Sequence, residues 1–195
     1  MKRISSKPRA SGLTLIELMV TLVVVVITLS VASPLMQSLI CGNRLRATTD
    51  RLLVAINLAR SEAVSRNTPV SLCPSTMASS GVARCAGSLA NGWIVFTNRD
   101  RDAAVDPGTD QVIRVFEGIP PGYSLTNLAG TRAIAETITY LPDGSSRRNR
   151  TLLLCPPAGY PAAPWRVVLN LVGRARAARN DSGDVSGGRA RCPVG

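Results

Sequence analysis

Between Leu13 and Ser33 the chain carries one charged side chain, Glu17, in 21 otherwise uncharged positions. An α-helix rises 1.5 Å per residue, so the run spans about 31 Å, the thickness of a bilayer's hydrocarbon core. Lys2, Arg3, Lys7 and Arg9 precede the run with no acid among them, which holds the N-terminus on the cytoplasmic side. A secretory signal cut near Ala32 fits less well, because the run is long for such a signal, Glu17 interrupts it and Pro34 follows closely. A plain anchor leaves Glu17 unexplained. A carboxylate within a membrane helix costs about 2.5–3.5 kcal/mol on insertion scales, so a partner for it is expected.

Gly12-Leu13-Thr14-Leu15-Ile16-Glu17-Leu18 resembles the prepilin peptidase site of type IV pilins and type II secretion pseudopilins. The resemblance implies cleavage by a prepilin peptidase after Gly12 and N-methylation of the new terminal residue, Leu13. It also implies that Glu17 pairs with the N-terminal amine of a neighbouring subunit during filament assembly, which supplies the missing partner. Leu13 stands where the family usually has Phe, and Pro34 falls where many pilin helices kink. On this reading residues 1–12 are a leader and 13–34 the transmembrane segment.

The composition excludes several alternatives. There is no histidine, which removes Ser-His-Asp and Cys-His catalysis and the commonest metal ligand. There is no Walker loop, GxGxxG or CxxC, and no acid–base–nucleophile constellation, so neither an enzyme nor a cofactor is expected. The cysteines, Cys41, Cys73, Cys85, Cys155 and Cys192, are spaced too widely for a zinc set. In an exported protein they read as two disulfides and one spare. Spacing leaves the pairing open; Cys73–Cys85 is the local choice, Cys155–Cys192 would then tie down the tail, and Cys41 is the odd one.

Beyond the membrane run, Leu45, Leu52, Ile56, Ala59 and Ala63 keep a three/four spacing, with Thr49 filling one gap. This is the buried face of an amphipathic helix over residues 35–67, ended by Asn67-Thr68-Pro69. From Pro69 the pattern changes to short β-like runs: Val70–Cys73, Gly92–Thr97, Gln111–Phe116, Glu136–Leu141, Arg150–Cys155 and Trp165–Val172. Turn signals such as Pro120-Pro121-Gly122 and Pro142-Asp143-Gly144 separate them. The expected fold class is α+β, with the long helix laid on one face of a small antiparallel sheet domain over residues 68–172. The Asn98–Asp110 loop has carboxylates suited to calcium, but Arg99 and Arg101 among them favour a solvated loop with no metal.

Thr137–Ser145, with its Pro142-Asp143-Gly144 turn, and Trp165–Arg176, ending Gly173-Arg174-Ala175-Arg176, resemble the corresponding elements of the GspH/FimT branch of pseudopilins and minor pilins. In FimT proteins that take up DNA, a Gly-Arg-x-Arg tail is the DNA-binding element. The resemblance carries that role to Gly173, Arg174 and Arg176, with Arg179 assisting. Apart from it, the basic loop Arg147-Arg148-Asn149-Arg150, two strands earlier, is placed to extend the patch. Double-stranded DNA would be held through its phosphates without base reading. Residues 173–195 are then an Arg/Gly-rich tail, its charge diluted by Asp181 and Asp184. The resemblance implies a minor type IV pilin that primes assembly. Its partners are other pilins, the prepilin peptidase and the bacterial inner membrane, with the sheet domain in the periplasm. The alternative is the H-type minor pseudopilin of a type II protein secretion system; gene neighbours distinguish the two.

Overall fold

The structure is a computed structural model that describes residues 12, 14–160, 162–180 and 192, with the backbone alone at Pro34 and Leu35. Expectations for residues 1–11, for Leu13 and for the tail beyond Asn180, Cys192 excepted, lie outside the described residues. The chain divides into two units, residues 1–39 and 40–195.

Helix α1 spans Leu15–Arg66. Thr14 starts it: its hydroxyl accepts from the Glu17 N–H at 3.3 Å, satisfying one of the donors that a helix start leaves open. Glu17 therefore lies in the first turn, where the helix dipole favours a carboxylate. In the first unit the large apolar side chains from Leu15 to Val31 are all exposed. By length and composition α1 is able to cross a membrane. The hydroxyls along this stretch turn back onto their own helix, Thr21 to the Leu18 carbonyl, Thr28 to those of Val24 and Val25, and Ser30 to that of Ile27. Hydrocarbon offers polar groups no other partner.

In the second unit α1 buries the stripe expected from its spacing. Leu45, Leu52, Ile56, Ala59 and Ala63 are buried to 2% exposure or less, and Thr49 satisfies its hydroxyl on the Leu45 carbonyl at 2.9 Å. Each of the three large side chains contributes about 1.5–3 kcal/mol by leaving water. The helix stops at Asn67, whose φ of 49° is the left-handed conformation that ends helices. The Thr68 N–H caps the Ala63 carbonyl at 3.3 Å.

Eight strands follow: β1 Val70–Pro74, β2 Gly92–Thr97, β3 Val112–Glu117, β4 Ser124–Asn127, β5 Ile138–Tyr140, β6 Arg150–Cys155, β7 Trp165–Leu169 and β8 Ala175–Arg179. A short helix, α2 Met77–Ser80, and a 3₁₀ turn at Leu89–Asn91 lie between β1 and β2. The class is α+β, as the sequence implies. The single sheet is corrected to two four-stranded antiparallel sheets, ordered β3-β2-β1-β5 and β4-β6-β7-β8. The tail starting at residue 173 is corrected as well, since Ala175–Arg179 is a strand paired with β7 in the register Val168↔Arg176 and Leu169↔Ala175.

One core joins the helix stripe to Val70, Leu72 and Val95 of the first sheet and Leu125, Leu152, Leu154 and Val167 of the second. Trp93 stacks on Phe116 at 5.7 Å between ring centres. The Arg51 guanidinium lies over Trp93 at 5.2 Å and donates to the Gly118 carbonyl at 2.7 Å. Disulfides join Cys73 to Cys85 and Cys155 to Cys192, with Cα separations of 5.5 and 5.7 Å. Cys41 is free and buried. The Tyr123 hydroxyl donates to its carbonyl at 3.2 Å.

Candidate functional site

The arginines singled out in the sequence sit on a β-hairpin. After β7 the chain reverses over Asn170–Arg174. The Gly173 N–H donates to the Asn170 carbonyl at 2.9 Å, and the Asn170 N–H to the Arg174 carbonyl at 3.2 Å. The Asn170 side chain accepts from the Arg174 N–H at 2.8 Å. Gly173 has φ +79°, and a Cβ there would overlap the Gly144 carbonyl oxygen. Only glycine fits, for backbone conformation and for space.

Gly144 belongs to the Pro142-Asp143-Gly144-Ser145 turn. That turn closes through Gly144 N–H to the Leu141 carbonyl at 2.8 Å. Hydrogen bonds from Ser145 to the Asp143 carboxylate hold this acid below its ordinary pKa. The two motifs that are distant in sequence thus touch in the fold. Two further bonds lock them together, and a third ties the turn to α1. The Ser146 N–H donates to the Leu171 carbonyl at 2.9 Å. Asn149 accepts from the Leu171 N–H at 2.7 Å. Arg60 of α1 donates to the Gly144 carbonyl at 3.0 Å.

This arrangement sets the direction of each arginine. Ala175 and Ala177 of β8 pack against the core, so strand alternation turns Arg176 to the opposite face, beside Val168. Arg174, Arg176 and Arg179 are exposed. Among the described residues no carboxylate forms an ion pair with Arg174 or Arg176. Arg147 and Arg148 are exposed as well. The Asn149 bond places their turn beside the hairpin, so the structure brings together the two basic segments. Arg150 turns inward: its side chain is 16% exposed and its Nη1 lies 3.5 Å from the Glu136 carboxylate.

The second candidate is the start of α1. Gly12 is described, and a Cβ on it would meet nothing within 4 Å. Leu13 lies outside the described residues. Glu17 is exposed, and among the described residues no cation forms an ion pair with it. Sequence reasoning missed the Thr14 cap three residues before Glu17, although Thr-x-x-Glu before an apolar run is the signal for one.

In the Asn98–Asp110 loop the carboxylates of Asp100, Asp102 and Asp106 lie within 4.8 Å of one another. Desolvation, and then the neighbouring Asp102 and Asp100 charges, raise the Asp106 pKa.

Two family models match the chain. Residues 48–173 match the one described as type II transport protein GspH, and residues 7–33 match the prokaryotic N-terminal methylation motif. No curated protein matches the chain in sequence. Among solved structures it is similar to the type IV minor pilin FimU of Pseudomonas aeruginosa, at 17% identity and a TM-score of 0.49, over 70% of this chain and 89% of that one. It is also similar to the minor pseudopilin EpsH of the Vibrio cholerae type 2 secretion system, at 14% identity and a TM-score of 0.49, over 72% and 99% of the two chains.

Proposed function

The chain belongs to the GspH family, the minor pilins and pseudopilins of that type, and on that premise we propose that it works as a minor type IV pilin. It is anchored in the bacterial inner membrane by α1, with its sheets in the periplasm. A prepilin peptidase cuts after Gly12, and Leu13 is N-methylated. Glu17 then pairs with a neighbour's N-terminal amine as the subunit primes a filament. The observation that carries this reading is Glu17 itself: a lone carboxylate in the first turn of an exposed apolar helix, within the matched methylation motif. Burying it in lipid is costly alone and tolerable against an opposite charge.

The hairpin supports the finer part of the proposal, non-specific contact with duplex DNA through Arg174 and Arg176, with Arg179 adding to it. A rigid turn presents the first two without ion-pair partners among the described residues, and guanidinium forks suit phosphate oxygens. The second reading is an H-type minor pseudopilin acting in type II protein secretion, favoured by the description of the matched family as a type II transport protein.

Intact-mass analysis of the membrane-extracted protein tests the common premise. The expected mass is that of a chain starting at methylated Leu13. A start at Met1, or one beyond Ser30, overturns it.

A further inference from the structure

A second cationic feature lies beside the hairpin. A surface depression of about 670 Å³ is lined by Arg101, Arg147, Arg148 and Arg150 together with Asp102 and Glu136. The four arginines come from three places: the Asn98–Asp110 loop, the turn after Gly144, and the start of β6.

The fold holds them there against ordinary preferences. Arg101 has φ +64°, a left-handed conformation that side-chain-bearing residues adopt at a cost and that clusters at functional sites. The loop is fixed from beneath by Asn98, which is fully buried. Its Nδ2 donates to the Asp102 carbonyl and to the Ser71 hydroxyl, both at 2.9 Å. The Ser71 hydroxyl is in turn hydrogen-bonded to that of Thr139 at 2.9 Å, and Thr139 lines the depression. A buried polar chain therefore ties the Arg101 loop to the wall opposite. At the other end the Arg150 Nη1 is buried and makes no aligned hydrogen bond, although Glu136 is 3.5 Å away. Its ion pair with Glu136 leaves this donor without an aligned hydrogen bond, which a ligand oxygen would supply. Burial lowers the Arg150 pKa; Glu136 opposes that shift, and the like charge of Arg148 adds to it.

We propose that this depression is a binding site for a phosphoryl oxyanion. Four guanidinium groups face two carboxylates, and a phosphate monoester near neutral pH brings about −1.5 to −2 charge, against one for a carboxylate. Arg174 and Arg176 of the neighbouring hairpin do not line the depression. Its phosphate comes either from free phosphate or from a nucleic-acid backbone.

The test uses the full chain in neutral detergent, with unfolding followed by tryptophan fluorescence at constant ionic strength. Inorganic phosphate replacing chloride should raise Tm saturably, by about 5–10 °C at a hundred times its Kd. Arg101→Gln/Arg148→Gln should abolish the rise, whereas Arg174→Gln/Arg176→Gln should keep it. Phosphate also stabilises proteins generally by exclusion from their surface. A rise that is linear, unsaturated and unchanged in the first double variant overturns the proposal, as does stabilisation by oligoglutamate but not by phosphate. A duplex-DNA titration identifies the source. Loss of DNA affinity in Arg101→Gln/Arg148→Gln assigns the phosphate to the nucleic-acid backbone, and unchanged affinity beside lost phosphate binding assigns it to free phosphate. Absence of DNA binding by the parent defeats the DNA reading of the hairpin and leaves the phosphate result standing.

Discussion

Gly173 and Gly144 meet backbone to backbone, and the Arg60 side chain donates to the Gly144 carbonyl at their junction. The hairpin that carries Arg174 is therefore seated on the turn that leads to Arg147. Gly173→Ala must move the Gly144 carbonyl and adopt φ +79°. It should destabilise the protein by about 3 kcal/mol, or about 10 °C in Tm. Gly144→Ala meets only the Arg60 side chain at 3.2 Å and Val64 at 3.3 Å, so it should cost about 1 kcal/mol, mostly for its own positive φ. Thermal unfolding of the two variants side by side checks the order. Equal losses would mean that the junction does not hold the hairpin.

Removal of the Glu17 carboxylate separates insertion from assembly. Glu17→Val should enter the membrane at least as readily, because about 2.5–3.5 kcal/mol of insertion cost disappears. It should assemble poorly, because the neighbour's amine loses its counter-charge. Membrane fractionation together with a filament or secretion assay reads both. Normal assembly by the variant would assign the carboxylate another role.

The salt dependence of DNA binding tests the hairpin arginines. Each phosphate neutralised contributes about −0.9 to the slope of log K against log salt. Arg174→Gln/Arg176→Gln should therefore flatten the slope by about two and weaken binding to all sequences alike. Fluorescence anisotropy of the full chain in neutral detergent measures this, with circular dichroism to show that the fold persists. An unchanged slope would falsify the assignment.

Tyr140 gives the domain an alkaline limit. It is fully buried, and its hydroxyl has no hydrogen-bond partner among the described residues. Burial pushes its pKa up to about 12, with Arg60 opposing. A folded pKa above the unfolded value of about 10 stabilises fully below pH 10, and that stability is lost as pH rises towards 12. The loss from this residue should reach about 2–3 kcal/mol. Tyr140→Phe should abolish it and leave stability at pH 7 unchanged or about 1 kcal/mol higher. Tyr123, also raised to about 12 by burial and then by its bond to Cys41, should still titrate in the variant. Denaturant unfolding between pH 7 and 12 follows both.

The helix was legible in the sequence because its signals are local and periodic. The apolar run, Glu17 and the stripe from Leu45 to Ala63 need no tertiary information. Strand β8 was hidden for the opposite reason. Ala175-Arg176-Ala177-Ala178-Arg179 contains no β-branched or aromatic residue, so its extended form comes from pairing with β7 and from two small alanines against the core. Strand β4, Ser124–Asn127, is too short for alternation to show, so the sequence pattern does not divide the strands into two sheets. The site was half legible. Motif resemblance picked Gly173, Arg174 and Arg176, but contact of Gly173 with Gly144 depends on how the second sheet meets the turn after β5. Arg101 gave no signal. It reads as one more charge in a polar loop, and its left-handed backbone stands beside Asp102, whose carbonyl the buried Asn98 holds.

Strand order also makes β8 the outer strand of its sheet among the described residues. An outer strand is a template on which another chain can add, and the hazard grows where many identical subunits are held side by side. Exposed arginines on such a strand, here Arg176 and Arg179, oppose that addition. Charge at Arg176 and Arg179 is therefore expected to disfavour strand pairing between neighbouring copies, whatever ligand the hairpin takes. Replacing them with apolar residues would expose the protein to self-association even where every partner of the hairpin is absent.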